Sequence, residues 1–361
     1  MDFLKNAKQA FSDAKQAVFD GAHRINQAVI DKLDSKTPVL SICMMGPRSV
    51  GKTTVLTSIF SESQAKLCEG SRLYMNALDQ NTSKLNDYHT MLVDAVAKKD
   101  AANLPASNVV SKFLFGIGIA GRIPSVKLAV QDFPGEYLTS NMRDDRDEVY
   151  NFMSGATVIL IAVDTPYLME DGGRYNNDKN KIDIVTHYLK DNASAVKDKL
   201  VLFVPLKCER YMHDGRIEEV SQKTVEAYSE LIAFFRSNNI ASLVTPIITL
   251  GGMEFDRMVD TPAGTSDVAK IATYRPWEKL PQYRPLFCPQ PLYYLLTYVS
   301  NYYEWYEQQK KGFLHDMWSS VYSFIKRDND FRQEIKKLSR YILYNKNGFI
   351  PVTHNSILKL N

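Results

Sequence analysis

From Pro38 onward, short runs of β-branched and aliphatic residues alternate with stretches whose apolar positions recur at helical spacing. That alternation predicts a sheet built from parallel crossover units. Strands are expected at about 38–45, 110–117, 126–131, 156–163, 199–205 and 244–250, and helices at about 52–66, 82–98, 180–197 and 221–237. Two stretches, 166–180 and 251–291, lack either period, the second being rich in Pro, Gly and Tyr. Beyond Pro291 the pattern turns helical and aromatic, in Leu292–Leu296, Tyr302–Tyr306 and Trp318–Ile325, and predicts two or three helices. Such aromatic runs are more often core than exposed partner surface.

The first 34 residues read as a separate amphipathic helix carrying a seven-residue repeat, Ala7–Asp13 followed by Ala14–Asp20. Phe3, Ala7, Phe11, Ala14, Val18, Ile25 and Val29 share one face, and Asp34-Ser-Lys-Thr-Pro38 breaks the pattern. The face mixes two alanines with a few larger residues, so its buried apolar area is modest, a solitary helix would be marginal and it needs a surface to rest on. Its balanced Lys and Asp content favours docking on protein over contact with a membrane. The organisation expected is therefore a helix over 1–34, an α/β domain over 35–311 and a helical extension over 312–361.

Composition narrows the function. A net charge of +3 with both signs interspersed gives no basic stripe, so no nucleic acid is indicated as a partner. Four scattered cysteines, Cys43, Cys68, Cys208 and Cys288, suggest neither a disulfide framework nor a zinc site. No N-terminal stretch resembles a signal peptide, and the longest apolar run, 156–163, is far short of a bilayer span of roughly 20 residues. These features predict a soluble protein of a reducing, cytoplasmic compartment, with any membrane contact peripheral.

The strongest local signal is Gly46-Pro47-Arg48-Ser49-Val50-Gly51-Lys52-Thr53, which fits G-x-x-x-x-G-K-[ST], follows an apolar strand and opens a helix. Glycines let the backbone wrap a phosphate with its N–H groups inward, and the helix N-terminus adds a positive dipole end. Lys52 is placed to reach β- and γ-phosphates, Thr53 to ligate Mg²⁺, and Thr54 follows them into the helix. A second motif ends the strand near 126–131, Asp132-Phe-Pro-Gly135-Glu136. Asp132 then stands where an open α/β sheet presents ligands, able to hold Mg²⁺ through water, with the Gly135 N–H a donor to a γ-phosphate.

With these two motifs the chain resembles the Ras-like P-loop GTPases of the translation-factor-related class, over about residues 38 to 250, with a helix near 292–310 completing the domain. The resemblance implies an α/β P-loop NTPase fold: a mixed, mostly parallel six-stranded sheet flanked by helices, with one antiparallel pair matching the spacing of 113–117 and 126–130. It also implies GTP or GDP as ligand, Mg²⁺ as cofactor and Glu136 as the residue that positions water. The guanine-reading motif belongs after the fifth strand, where Leu206-Lys207-Cys208-Glu209 stands. Lys207 would lie over the base and Glu209 would accept its two N–H groups, although Leu replaces the usual Asn or Thr and Glu the usual Asp. The first switch should supply a hydroxyl to Mg²⁺, with Ser107 best placed and Thr82 its rival. Arg48, where a small residue is usual, crowds the attacking water, lends charge to the γ-phosphate or simply faces solvent.

The motif combination, a long insertion before the second strand and the helical tail also resemble bacterial double-GTPase proteins of conflict and defence systems. Together these readings predict a GTP-binding switch with Mg²⁺-dependent, slow hydrolysis that controls protein partners through its N-terminal and C-terminal helices. Three other readings stay open: a P-loop ATPase or kinase, a GTP-binding scaffold without useful turnover, and a self-assembling, membrane-remodelling GTPase.

Overall fold

The computed structural model describes residues 37–64, 66–100, 111–133, 137, 143–261, 269–309, 322–323 and 326–353. The helix expected over 1–34 lies outside them, as do Ser107, Gly135, Glu136 and most of 310–325. The chain forms β1 (Val39–Met45), α1 (Lys52–Ser63), β2 (Leu73–Ala77), α2 (Leu85–Ala97), β3 (Ser111–Ile119), β4 (Val126–Asp132), α3 (Arg143–Gly155), β5 (Val158–Asp164), α4 (Ile182–Asp191), β6 (Leu200–Leu206), α5 (Ile217–Ala227), α6 (Ser229–Ser237) and β7 (Ala241–Val244). There follow β8 (Met253–Asp260), β9 (Lys270–Pro276), α7 (Gln290–Gln309), α8 (Asn329–Leu338) and β10 (Ile350–Pro351), with short helical turns between.

Eight strands make the main sheet, in the order β10-β7-β6-β5-β1-β4-β3-β2, so the six expected are too few. The five from β7 to β4 run parallel, while β3 pairs antiparallel with β4, β2 with β3, and β10 with β7. The added strands are the two edges. β2 buries Leu73, Met75 and Ala77 but leaves Tyr74 and Asn76 half-buried, and β10 is only two residues long. The seventh strand also lies earlier than 244–250. Pro246 has no N–H to give and the regular ladder stops at Val244, although Thr245 and Ile247 still donate to the carbonyls of Phe203 and Pro205.

The period-two pattern of β1 splits the core into two layers. Leu40, Ile42 and Met44 pack with Val55 and Ile59 of α1 and with Leu292, Leu295 and Leu296 of α7. Cys43 and Met45 face the other way, among Val149 and Met153 of α3, Val185 and Leu189 of α4, and Leu231 and Phe235 of α6. The aromatic start of α7 is thus core: Tyr294, Tyr298 and Tyr302 are all buried, with the Tyr294 hydroxyl donating to the Leu343 carbonyl.

The C-terminal segment is joined to the same sheet. Asp328 caps α8 by accepting from Phe331 N–H at 2.9 Å, and Phe331, Ile335 and Leu338 enter the core layer shared by α1 and α7. Glu334, 1% exposed, accepts from Arg72 N and Nε, each at 2.9 Å, and from Lys337 Nζ at 2.8 Å. Burial opposes its ionisation, but the donors on Lys337 and Arg72 outweigh burial and hold the carboxyl down to about 2. Because this folded value lies below the unfolded one, the stabilisation is present above the ordinary glutamate range and is lost as pH falls towards about 2. Glu334→Gln should therefore destabilise the protein by about 1–3 kcal/mol at neutral pH. In chemical denaturation the gap between wild type and variant should narrow as the buffer is taken below pH ~4.3.

Candidate nucleotide site

The carboxyl end of β4 and the loops that follow β1, β5, β6 and β7 converge on a cavity of about 500 Å³. An open α/β sheet receives its ligands at this edge, because strands that run the same way deliver all their outgoing loops together.

The loop after β1 is forced close to its neighbour strand. Gly46 adopts φ +144°, and a Cβ there would stand 2.8 Å from the Ala162 carbonyl oxygen and 2.9 Å from its Cβ. Gly51, at φ 107° and ψ 24°, takes the left-handed conformation that turns the chain into α1. Lys52 is 7% exposed, and its ammonium donates to the carbonyls of Gly46 and Pro47 at 3.2 Å each. It also lies 3.7 Å from Asp132 Oδ1. Thr53 donates its hydroxyl to Asp132 Oδ2 at 3.0 Å. Burial pushes the Asp132 carboxyl up in spite of Lys52 and Thr53, and its Oδ1 takes no hydrogen bond.

A hydroxyl beside a buried carboxylate with an oxygen that takes no hydrogen bond suits Mg²⁺, which binds through one or two protein oxygens and completes its shell with phosphate and water. Thr53 and Asp132 are the residues that would hold it. Among the described residues no cluster of three or more His, Cys, Asp or Glu side chains offers an all-protein metal site.

On the other side of the cavity Lys207 stands just past β6 with φ 63°, a left-handed conformation held by its contacts. Its ammonium donates to Asp164 Oδ2 at 2.7 Å and to the Ser49 carbonyl at 3.0 Å, and lies 5.6 Å from the centre of the Tyr274 ring. Glu209 is 2% exposed, and its Oε1 accepts from Leu250 N at 2.7 Å, Thr249 N at 2.8 Å, the Thr249 hydroxyl at 3.0 Å and Gly251 N at 3.4 Å. The loop after β7 is therefore folded around this carboxylate. The antiparallel β8–β9 pair closes the remaining wall with Met253 and the run Ile271–Tyr274, and Tyr167 ties it down by donating to the Lys270 carbonyl at 2.8 Å.

Of the residues that the sequence motifs single out, Arg48, Ser49, Val50, Gly51, Lys52, Thr53, Thr54, Asp132, Lys207 and Glu209 all line this one cavity. Gly46 and Pro47 lie behind Lys52 as acceptors of its ammonium. Thr82, the rival for the first-switch hydroxyl, is buried away from the cavity, capped by Asp79 and donated to by Leu114 N–H at 2.7 Å. Asp164, Tyr167, Lys179, Thr249 and Tyr274 belong to no motif, yet they line the cavity too. Asp164 carries a usable signal, since it ends an apolar strand just as Asp132 does. Nothing in the sequence around Tyr274 signals its place.

No protein-family model matches the sequence, and no curated protein matches it. Among solved structures with a similar course of chain are two GTPases and a GTPase-like domain. One is the small COPII coat GTPase Sar1 of Encephalitozoon cuniculi in complex with GDP, at 14% identity and TM-score 0.26 over 64% of this chain and 75% of that one. The bacterial dynamin GTPase LeoA from ETEC matches at 14% identity and TM-score 0.32, covering 86% of this chain and 38% of its own. The GTPase-like domain of S. cerevisiae Ski7, bound to GTP, matches at 15% identity and TM-score 0.34, covering 65% and 48%. Scores this low carry no weight for substrate or partner. Among the described residues no helix is long and apolar enough to cross a membrane.

Proposed function

We propose that the chain is a GTP-binding switch with Mg²⁺-dependent, slow hydrolysis, whose nucleotide state governs its contacts with other proteins. The observation that carries this reading is the meeting of Lys52, Thr53 and Asp132 at a glycine-turned loop that opens a helix. In hydrolysis, water attacks the γ-phosphorus, the bond to the β–γ bridging oxygen breaks, GDP and phosphate leave, and the water's protons pass to phosphate and solvent. The loop N–H groups and Lys52 hold the β- and γ-phosphates and offset the charge that builds on them. Mg²⁺ supplies further positive charge there when bound. Gly135 and Glu136 take the sensing and water-positioning roles that the motif implies, and Arg48 stands at the cavity wall to crowd water or assist it. The stem of Lys207 packs beside the base, whose N–H groups meet the Glu209 carboxylate.

One observation favours a second reading. All four bonds from the loop after β7 fall on Glu209 Oε1, which suits a brace as well as a base reader. A P-loop ATPase or kinase would use it as the brace alone. Calorimetric titration with GTP, GDP, ATP and ADP in Mg²⁺ separates the two. The expected result is tight GTP and GDP binding with ATP at least about 1.5 kcal/mol weaker, the lower range for a hydrogen bond to a charged group. Equal affinity for ATP and GTP would assign Glu209 to bracing, and no binding of any of the four would remove the nucleotide reading altogether.

A further inference from the structure

We propose that Lys179 is a third lysine of the phosphate site, a cation supplied by the chain itself to the phosphates of the bound nucleotide. The inference rests on the nucleotide-binding reading above and adds to it a residue that no phosphate-loop motif contains.

The segment between β5 and α4 fixes this lysine in place. Asn180, fully buried, accepts from the Asp164 N–H at 2.7 Å and donates to the Asp164 carbonyl at 3.2 Å and to Asn176 Oδ1 at 2.7 Å. The short helix Asn176–Asn180 is thereby stapled to the carboxyl end of β5, and Lys181 stops it with φ 53°. Lys179 is carried to the phosphate loop, where its ammonium donates to the Arg48 carbonyl at 3.0 Å and lies 5.4 Å from the centre of the Tyr167 ring.

With Lys179 included, the loop shows a regularity. Lys52 takes the carbonyls of Gly46 and Pro47, Lys179 that of Arg48 and Lys207 that of Ser49, so four consecutive carbonyls are each held by an ammonium. Three positive charges surround one turn of backbone whose function is to bind anions.

Their partners are unequal. Lys52 faces Asp132, and Lys207 is paired with Asp164 at 2.7 Å. Among the described residues no carboxylate forms an ion pair with Lys179. The carboxylate it feels, Asp164, is already engaged by Lys207, and burial lowers the Lys179 ammonium from its ordinary range. Bracing a carbonyl needs only a neutral donor, whereas a half-buried charge with no ion pair of its own gains more when an anion arrives to meet it. The cavity that Lys179 lines is where that anion would sit.

The test uses the full chain with Lys179→Met, which keeps the stem and removes the charge, and Lys179→Arg, which restores the charge. Fluorescent GTP and GDP affinities and single-turnover hydrolysis are measured with Mg²⁺, together with melting of the nucleotide-free proteins. Lys179→Met should lower GTP affinity or the single-turnover rate about ten- to hundredfold, as expected for a charge-assisted bond. Nucleotide-free melting should stay unchanged and Lys179→Arg should recover most of the loss. A loss larger for GTP than for GDP places the contact on the γ-phosphate, and an equal loss places it nearer the β-phosphate. Wild-type affinity and rate in Lys179→Met overturn the proposal, as does a loss that comes with lowered melting and no recovery by Arg. Wild-type protein that binds neither nucleotide overturns the functional reading itself, a result distinguishable from either.

Discussion

Lys52→Ala should yield a folded protein that no longer holds Mg²⁺-triphosphate. The side chain is almost fully buried but packs along the cavity wall, so its removal costs the core little. It costs the site much more. Asp132 is left as a buried carboxylate with an oxygen that already lacks a hydrogen bond, and breaking a buried pair by deleting one partner costs about 3–5 kcal/mol. The carboxyl, already pushed up by burial, then takes a proton more readily and can no longer serve as the proposed Mg²⁺ ligand. Calorimetry with Mg²⁺-GTP should show a loss of at least about a hundredfold in affinity, while the nucleotide-free variant still folds cooperatively but melts below wild type. Asp132→Asn separates the two contributions: it can still accept from Thr53, so nucleotide should bind without Mg²⁺ while Mg²⁺ no longer improves affinity. The same carboxyl predicts an acid limit. Since its folded value lies above the ordinary one, Mg²⁺-dependent affinity should fall away on acidification at a higher pH than a free aspartate would give. Wild-type affinity and turnover in a folded Lys52→Ala protein would sink the phosphate-site assignment.

How much of the fold and site is legible in the sequence follows from how local each signal is. The phosphate loop needs only eight adjacent residues and two glycines whose unusual angles the fold requires, so Gly46 and Gly51 are legible from the motif alone. The buried central strands are likewise marked by continuous apolar runs. β2 escapes the pattern because five residues with two half-buried positions carry too little signal. The β8–β9 pair reads as irregular in sequence because its burial does not alternate: Met253, Glu254 and Phe255 at the start of β8 are buried, and the other positions of both strands are half-buried or exposed. Yet that pair supplies a wall of the cavity. Lys179 is silent for a related reason, since its role depends on which strand ends adjoin in space, and that is set by the sheet order. The proposed guanine-reading segment is the reverse case: its position after β6 is legible, but the commitment of Glu209 to the neighbouring loop is not.

That commitment makes Glu209 the residue whose substitution separates bracing from base reading. Glu209→Ala strips one acceptor from three backbone N–H groups and a hydroxyl in the loop at 249–251, so it should destabilise the protein by about 2–4 kcal/mol and weaken every nucleotide together. Glu209→Gln is the sharper test because an amide has only one acceptor oxygen. With that oxygen kept towards Thr249 and Leu250, the loop stays folded and the NH₂ group is turned towards the ligand. Guanine would present its own N–H groups to that NH₂, donor against donor, whereas adenine would present an acceptor. If the carboxylate reads the base, Glu209→Gln should therefore lose about 1.5–3 kcal/mol of GTP affinity while ATP affinity holds or rises, with melting close to wild type. A variant that keeps its GTP preference and its melting temperature would show that the carboxylate only braces the loop. The source of any base selection would then lie with Lys207 and the Tyr274 wall, the other groups that border that side of the cavity.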